Sequence, residues 1–133
     1  MYRVLVPIDN DENRALRQAR FVTNQPYDLS NVEVVLTHVL HGEERQAPPA
    51  MQTPSRVTTV KRAREHLEDY DVNVTIAEAS APPEDGILDL IDEVNADHIV
   101  MGGRKRSPAG KAIFGSVTQT VILESDVPVS VTG

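Results

Sequence analysis

Residues 4–22 read VLVPIDNDENRALRQARFV, a short β-branched run that gives way to apolar residues spaced three and four apart. Val4-Leu5-Val6-Pro7-Ile8 is short, apolar and bounded by polar turn residues, as a buried strand should be. Asp9-Asn10-Asp11 supplies the residue types that cap helices. Ala15, Leu16, Ala19 and Val22 then mark one apolar stripe at helical spacing. A strand followed at once by a capped amphipathic helix is the first half of a βαβ unit.

The same alternation recurs along the chain. Residues 32–39 and 98–101 read as further buried strands. Residues 72–76 and 127–131 alternate apolar with polar, and the latter run contains Pro128, so both suit the margins of a sheet. Between these runs lie three more helical stripes. The first is Val57, Val60, Ala63 and Leu67, after a break at Pro54-Ser55. The second is Ile87, Leu88, Ile91 and Val94, opened by Pro82-Pro83-Glu84-Asp85, where proline and acids favour a helix start. The third is Ile113, Val117 and Val121, ending near Ser125-Asp126. The order β-α-β-α-β-α-β-α-β predicts an α/β fold: a doubly wound, five-stranded parallel sheet with right-handed crossovers and helices on both faces. With no internal repeat and no sign of a second unit, residues 1–133 are expected to form one domain. Residues 41–54, HGEERQAPPAMQTP, read as a long loop, either a surface loop or a lid.

Composition narrows the function. The 133 residues contain no cysteine, which excludes disulfides and thiolate metal sites. A formal charge of -7 and an aromatic content of 4% argue against a nucleic-acid surface, which needs basic residues for phosphates and rings for bases. The N-terminal stretch turns acidic after one short apolar run, unlike a signal peptide. No run approaches the roughly 20 apolar residues of a membrane helix. A cytoplasmic location is expected.

Two places carry candidate chemistry, both at the carboxyl ends of strands, where open α/β sheets bind ligands. Pro7-Ile8-Asp9 ends the first strand, and the Asp9 carboxylate can accept hydrogen bonds from ribose hydroxyls or an adenine amine; it can equally cap the first helix. The second place is the 101–118 connection, MGGRKRSPAGKAIFGSVT. Its glycines allow close backbone approach, and Gly115-Ser116 can open a helix whose free N–H groups attract anions. The Ser116 and Thr118 hydroxyls add donors. Arg104, Lys105, Arg106 and Lys111 concentrate positive charge there in an otherwise acidic chain, as a di- or triphosphate requires. A solvated loop with a capped helix is the plainer reading of the same residues. No G-x-x-x-x-G-K-[ST] run exists. His38 and His41, near Glu43 and Glu44, lack the further ligands and fixed geometry of a metal site, so no metal held by protein side chains is expected. His66 and His98 read as a helix-surface and a strand-end residue. No nucleophile–base pairing can be traced, so no catalytic residue is assigned and slow ATP hydrolysis is the most that is expected.

Three stretches together, VLVPID at 4–9, ADHIVMGGR at 96–104 and Gly115-Ser116-Val117, resemble the signatures of the universal stress protein family. The family's G-x2-G-x9-G-[ST] loop is matched in spacing by Gly102, Lys105 and Gly115-Ser116, with Lys105 standing where nucleotide-binding members have a second glycine. The resemblance implies an adenine nucleotide alpha hydrolase-like fold with strand order 3-2-1-4-5 and a homodimer through the C-terminal strand. It implies ATP or a related adenine nucleotide as ligand, with Mg²⁺ or Mn²⁺ able to bridge its phosphates. On that pattern Asp9, with Pro7 and Ile8, lies near the ribose, and the Val39 backbone meets adenine. Met101, Gly102, Arg104, Lys105, Gly115, Ser116, Val117 and Thr118 surround the phosphates. Lys105 would either obstruct the backbone approach or replace it with an ammonium contact. Members without the loop bind no nucleotide, and an interaction scaffold of the same fold is the alternative. For the dimer, the residues agree: Val127, Val129 and Val131 alternate along an edge with no lysine to blunt pairing.

Overall fold

The computed structural model describes residues 1–38, 57–80, 82–103 and 115–132. Within them the elements run β1 (Tyr2–Ile8), α1 (Glu12–Thr23), a 3₁₀ turn (Leu29–Asn31), β2 (Val32–His38), α2 (Thr58–Asp69), β3 (Asn73–Ile76), α3 (Pro83–Glu93), β4 (His98–Gly102), α4 (Ser116–Glu124) and β5 (Val129–Thr132). The strands form one sheet of order β3-β2-β1-β4-β5, and every pairing is parallel. The order reverses between β1 and β4, because the chain winds to one side through β2 and β3 before crossing back. The two alternating strands take the margins. Pro128 stands just ahead of β5 rather than within it, its carbonyl accepting from Ile99 N–H at 3.0 Å. That position avoids the ladder bond a proline cannot make.

Two apolar layers sandwich the sheet. On one face Val4, Val6, Ile8, Val34, Leu36 and Val100 pack with Ala15, Ala19 and Val22 of α1 and Val60, Ala63 and Leu67 of α2. On the other, Leu5, Val35, Ile99 and Met101 pack with Ile87, Leu90 and Ile91 of α3 and Val117 and Val121 of α4. The period-2 alternation along β1 thus sends adjacent residues into different layers, so a fully buried strand reads as one apolar run.

The helix ends follow local rules. Asp11 caps α1, its carboxylate accepting from Arg14 N–H at 2.9 Å. That bond favours the ionised form and holds the Asp11 carboxyl below its usual range. Pro83 opens α3 with Glu84 and Asp85 in its first turn. Both α2 and α3 end in a left-handed residue, Asp71 (φ 60°) and Asn95 (φ 54°). Val72 N–H reaches back to Leu67 O at 3.1 Å and Ala96 N–H to Ile91 O at 3.0 Å. These are Schellman closures with Asp and Asn in the glycine position, and they turn the chain directly into β3 and β4.

At the amino end of the sheet His98 couples β4 to the edge strand. Its Nε2 lies 2.8 Å from Ser130 Oγ, and its ring meets Tyr2 and Phe21, each at a centroid distance of 6.2 Å. Burial pushes the His98 pKa down. Burial and then Arg20 do the same to His66, which sits 3.0 Å from Thr23 Oγ1. Both rings are therefore held neutral in the fold, while the unfolded chain takes up their protons near pH 6.5. Between that value and the lower folded pKa, the unfolded state binds more protons. The stability contributed is full above about pH 6.5 and drains as pH falls through the folded values. Urea unfolding at pH 7.5 and 5.5 should show a smaller pH-dependent loss for His98→Gln than for the wild type. An equal loss in both would remove His98 from the effect.

Candidate functional site

The carboxyl ends of β1 and β4 face a common crevice at the point where strand order reverses. Pro7 and Ile8 end β1, with Ile8 fully buried in the α1 layer. Asp9 follows. Its Oδ1 accepts from Asp11 N–H at 3.0 Å, closing a tight turn ahead of the helix cap. Its Oδ2 is paired with Arg14 Nη1. The helix cap itself is Asp11 rather than Asp9. The Asp9 carbonyl accepts from Thr59 Oγ1 of α2, which ties the turn to the neighbouring helix.

On the β4 side, Met101 is buried against α3 and α4. Gly102 ends the strand. A Cβ at Gly102 would lie 2.5 Å from Arg14 Cδ, 2.6 Å from Arg14 Cγ and 2.9 Å from Gln18 Oε1. Its lack of a side chain therefore serves the packing of α1. Gly103 donates its N–H to Thr132 O of β5 and accepts from Arg14 Nε at 3.2 Å.

Gly115 is the N-cap of α4 (φ -69°, ψ 164°), and as a glycine it makes no side-chain cap bond. Ser116 is exposed, whereas Val117 and Thr118 are buried. The Thr118 hydroxyl turns inward, 3.4 Å from Gly102 O, and so fastens the start of α4 to the end of β4. The first-turn N–H groups of α4 lie beside the carboxyl end of β4, where partial positive charge favours an anion. Val39, Arg104 and Lys105 lie outside the described residues, as do Arg106 and Lys111.

Three contributors escaped sequence reasoning. Gln18 is fully buried and donates Nε2 to Pro7 O at 2.7 Å and to Val100 O at 3.0 Å, stitching β1 to β4 under α1. Arg14 sits one turn earlier on the same helix face. Asn10 Oδ1 accepts from His38 Nε2 at 2.8 Å, linking the β1 turn to the end of β2. The signal for Gln18 was present, since it falls beside Ala15, Ala19 and Val22 on the stripe that faces the sheet, where a polar residue must find partners. Among the described residues no group of three or more His, Asp or Glu side chains gathers, and no helix is long and apolar enough to cross a membrane.

Comparison with known proteins places this geometry. A universal stress protein from Archaeoglobus fulgidus superposes with a TM-score of 0.79 at 32% identity, covering 100% of this chain and 99% of that one. A structure of the universal stress protein from Archaeoglobus fulgidus in complex with dAMP superposes at 0.74 with 26% identity, covering 100% and 98%. By sequence, the stress response protein NhaX of Bacillus subtilis is 31% identical over 70 residues, 53% of this chain and 42% of that protein. The chain spans about half, or less, of the length of the relatives it matches in this way. The family model for universal stress proteins matches residues 1–133 from end to end, and with the sheet order and the strand-end crevice already in place, the chain belongs to the universal stress protein family.

Proposed function

We propose that this protein binds an adenine nucleotide, ATP or a close relative, as a regulatory ligand in a stress response, and that it does so in the cytoplasm as a homodimer. The observation that carries the proposal is the N-terminus of α4, which begins at Gly115, a residue with no side chain to bond the first-turn N–H groups, and is fastened by Thr118 to Gly102 at the end of β4. Its N–H groups suit a phosphate. Asp9 lies across the same crevice with a carboxylate suited to ribose hydroxyls. The relative in complex with dAMP, similar over the full chain, supports the same reading. Mg²⁺ or Mn²⁺ would come with the nucleotide's phosphates rather than with a cluster of protein ligands. We assign the protein no fast catalysis and no catalytic residue.

A scaffold that binds no nucleotide is the second reading. It is favoured by the state of the crevice, where Arg14 occupies the Asp9 carboxylate and covers Gly102. Denaturing freshly purified protein and identifying the released small molecules by mass spectrometry separates the two. An adenine nucleotide near one per chain supports the first; none, together with no uptake of added ATP, supports the second. Phosphate release beyond one turnover per site would show instead that the protein hydrolyses its ligand.

For the dimer, the backbone of β5 defines the test. Pro128 O and Thr132 O accept from Ile99 and Gly103 on the β4 side. Alternation then turns the N–H and C=O of Val129 and Val131 to the free edge. Their side chains pack against the α3–α4 layer, so lysine at either position would injure the core along with the edge. Val131→Pro removes one outward donor and leaves the β4 ladder intact, a placement edge strands tolerate. The wild type should be dimeric by light scattering at micromolar concentration and Val131→Pro largely monomeric. A monomeric wild type, or a dimer indifferent to the proline, would contradict pairing through β5.

A further inference from the structure

We propose that Arg14 makes the crevice selective for phosphorylated ligands, by holding the Asp9 carboxylate until a ligand phosphate takes over the guanidinium. The inference rests on the nucleotide reading above and deepens it.

The crevice between β1 and β4 is filled by the chain's own cation. The Arg14 guanidinium pairs with Asp9 through Nη1, lies 3.8 Å from Asp11 Oδ2 through Nη2, and donates from Nε to Gly103 O at 3.2 Å. It therefore spans the ends of both strands. The Asp9 and Arg14 side chains are only 21% and 20% exposed, so separating them uncovers charge in a partly dry place. The stem of Arg14 lies over Gly102. One turn further along α1, the buried Gln18 leaves its Oε1 with no partner among the described residues, directed at the same Gly102 position. An unmet buried acceptor is uncommon in a finished core and marks a place where a donor is due.

A nucleoside that sets its hydroxyls on Asp9 competes with Arg14 for a carboxylate that is only 21% exposed. Its hydroxyls would then replace an ion pair, and the guanidinium would keep only the longer and more exposed pairing with Asp11. A nucleotide makes the same exchange but brings the replacement anion, and a phosphate accepts from a guanidinium with two parallel bonds. Two carboxylates, Asp9 and Asp11, would otherwise repel that phosphate. Discrimination thus comes from a penalty on the unphosphorylated ligand as well as from attraction to the phosphorylated one.

AMP and adenosine differ only in the phosphate, which makes them the right pair of probes. Each is titrated calorimetrically into the wild type, Arg14→Gln, Arg14→Met and Arg14→Lys. The glutamine and methionine variants keep a stem over Gly102 and lose the charge, and each serves if the other folds poorly. The wild type should prefer AMP by about tenfold or more, the worth of one charge-assisted contact. In the neutral variants adenosine should tighten and AMP weaken, narrowing the preference by about tenfold or more, while the N–H groups of α4 keep whatever remains of it. Arg14→Lys should keep most of the preference, which a purely structural role for the stem would not explain. A preference as large in the neutral variants as in the wild type overturns the role of Arg14 and leaves nucleotide binding standing. A wild type that binds neither ligand, beside a neutral variant that binds adenosine, overturns both the hand-over to phosphate and nucleotide binding by the native protein. Binding of neither ligand by any variant overturns both.

Discussion

Replacing Gly115 with valine is expected to weaken ATP binding by about 100-fold or more while leaving the protein folded. Gly115 has φ -69° and ψ 164°, extended backbone that valine adopts readily, so the substitution brings no strain. Its thermodynamic cost is confined to a poorer N-cap, of the order of 1 kcal/mol. The branched side chain instead covers the mouth of α4, whose first-turn N–H groups are the proposed phosphate donors. Losing two charge-assisted hydrogen bonds at about 1.5–3 kcal/mol each gives the expected factor. Calorimetric titration with ATP reads the affinity, and urea unfolding confirms that the variant is folded. Unchanged affinity would move the phosphates away from this helix.

A second substitution probes the scaffold that holds the site. Gly86 lies buried in the first turn of α3, where the strand-to-helix connection crosses it. A Cβ there would stand 1.8 Å from Ser80 O and 2.8 Å from Ser80 C, both backbone atoms. Neither can rotate aside as a side chain would, and Gly86 N–H is bonded to Pro82 O at 2.9 Å, which anchors the start of the helix. Gly86→Ala should therefore destabilise the protein by about 3 kcal/mol, the upper end of overpacking costs, despite alanine's better helix propensity. For a domain of this size that corresponds to a fall in Tm of roughly 10 °C. A midpoint of thermal unfolding equal to that of the wild type would mean that the connection shifts freely.

The fold was legible because its signals are local. Val4 to Ile8, the caps at Asp9–Asp11 and the stripe through Ala15, Ala19 and Val22 each follow from chain geometry, and four repetitions of that pattern leave little choice of architecture. The marginal positions of β3 and β5 followed from their alternation and from Pro128. The site was legible only in part. Thr118 meets the carbonyl of Gly102, and Arg14 links Asp9 to Gly103, so neighbouring strand ends are joined as the doubly wound order requires. What escaped was the identity of their partners. Whether Asp9 caps a helix or waits for a ligand depends on Arg14, five residues on, which reaches both β1 and β4 only because α1 packs across them. Gln18 belongs to an apolar stripe by position and to a hydrogen-bond network by chemistry, and no periodicity distinguishes the two. The Thr118 hydroxyl, read as a donor to phosphate, lies 3.4 Å from Gly102 O, a contact no spacing in the sequence foretells. The roles of Val39, Arg104 and Lys105 rest on the family resemblance, since these residues lie outside the described ones.

The most direct test of nucleotide binding is a calorimetric titration of wild-type protein, stripped of any co-purified nucleotide by unfolding and refolding, with ATP at moderate salt. Binding at micromolar or tighter affinity, near one ATP per chain, is the expected result, with adenosine much weaker because phosphate contacts supply much of the affinity. No heat of binding at millimolar ATP, from protein whose circular dichroism matches the freshly purified sample, would contradict nucleotide binding and favour the scaffold.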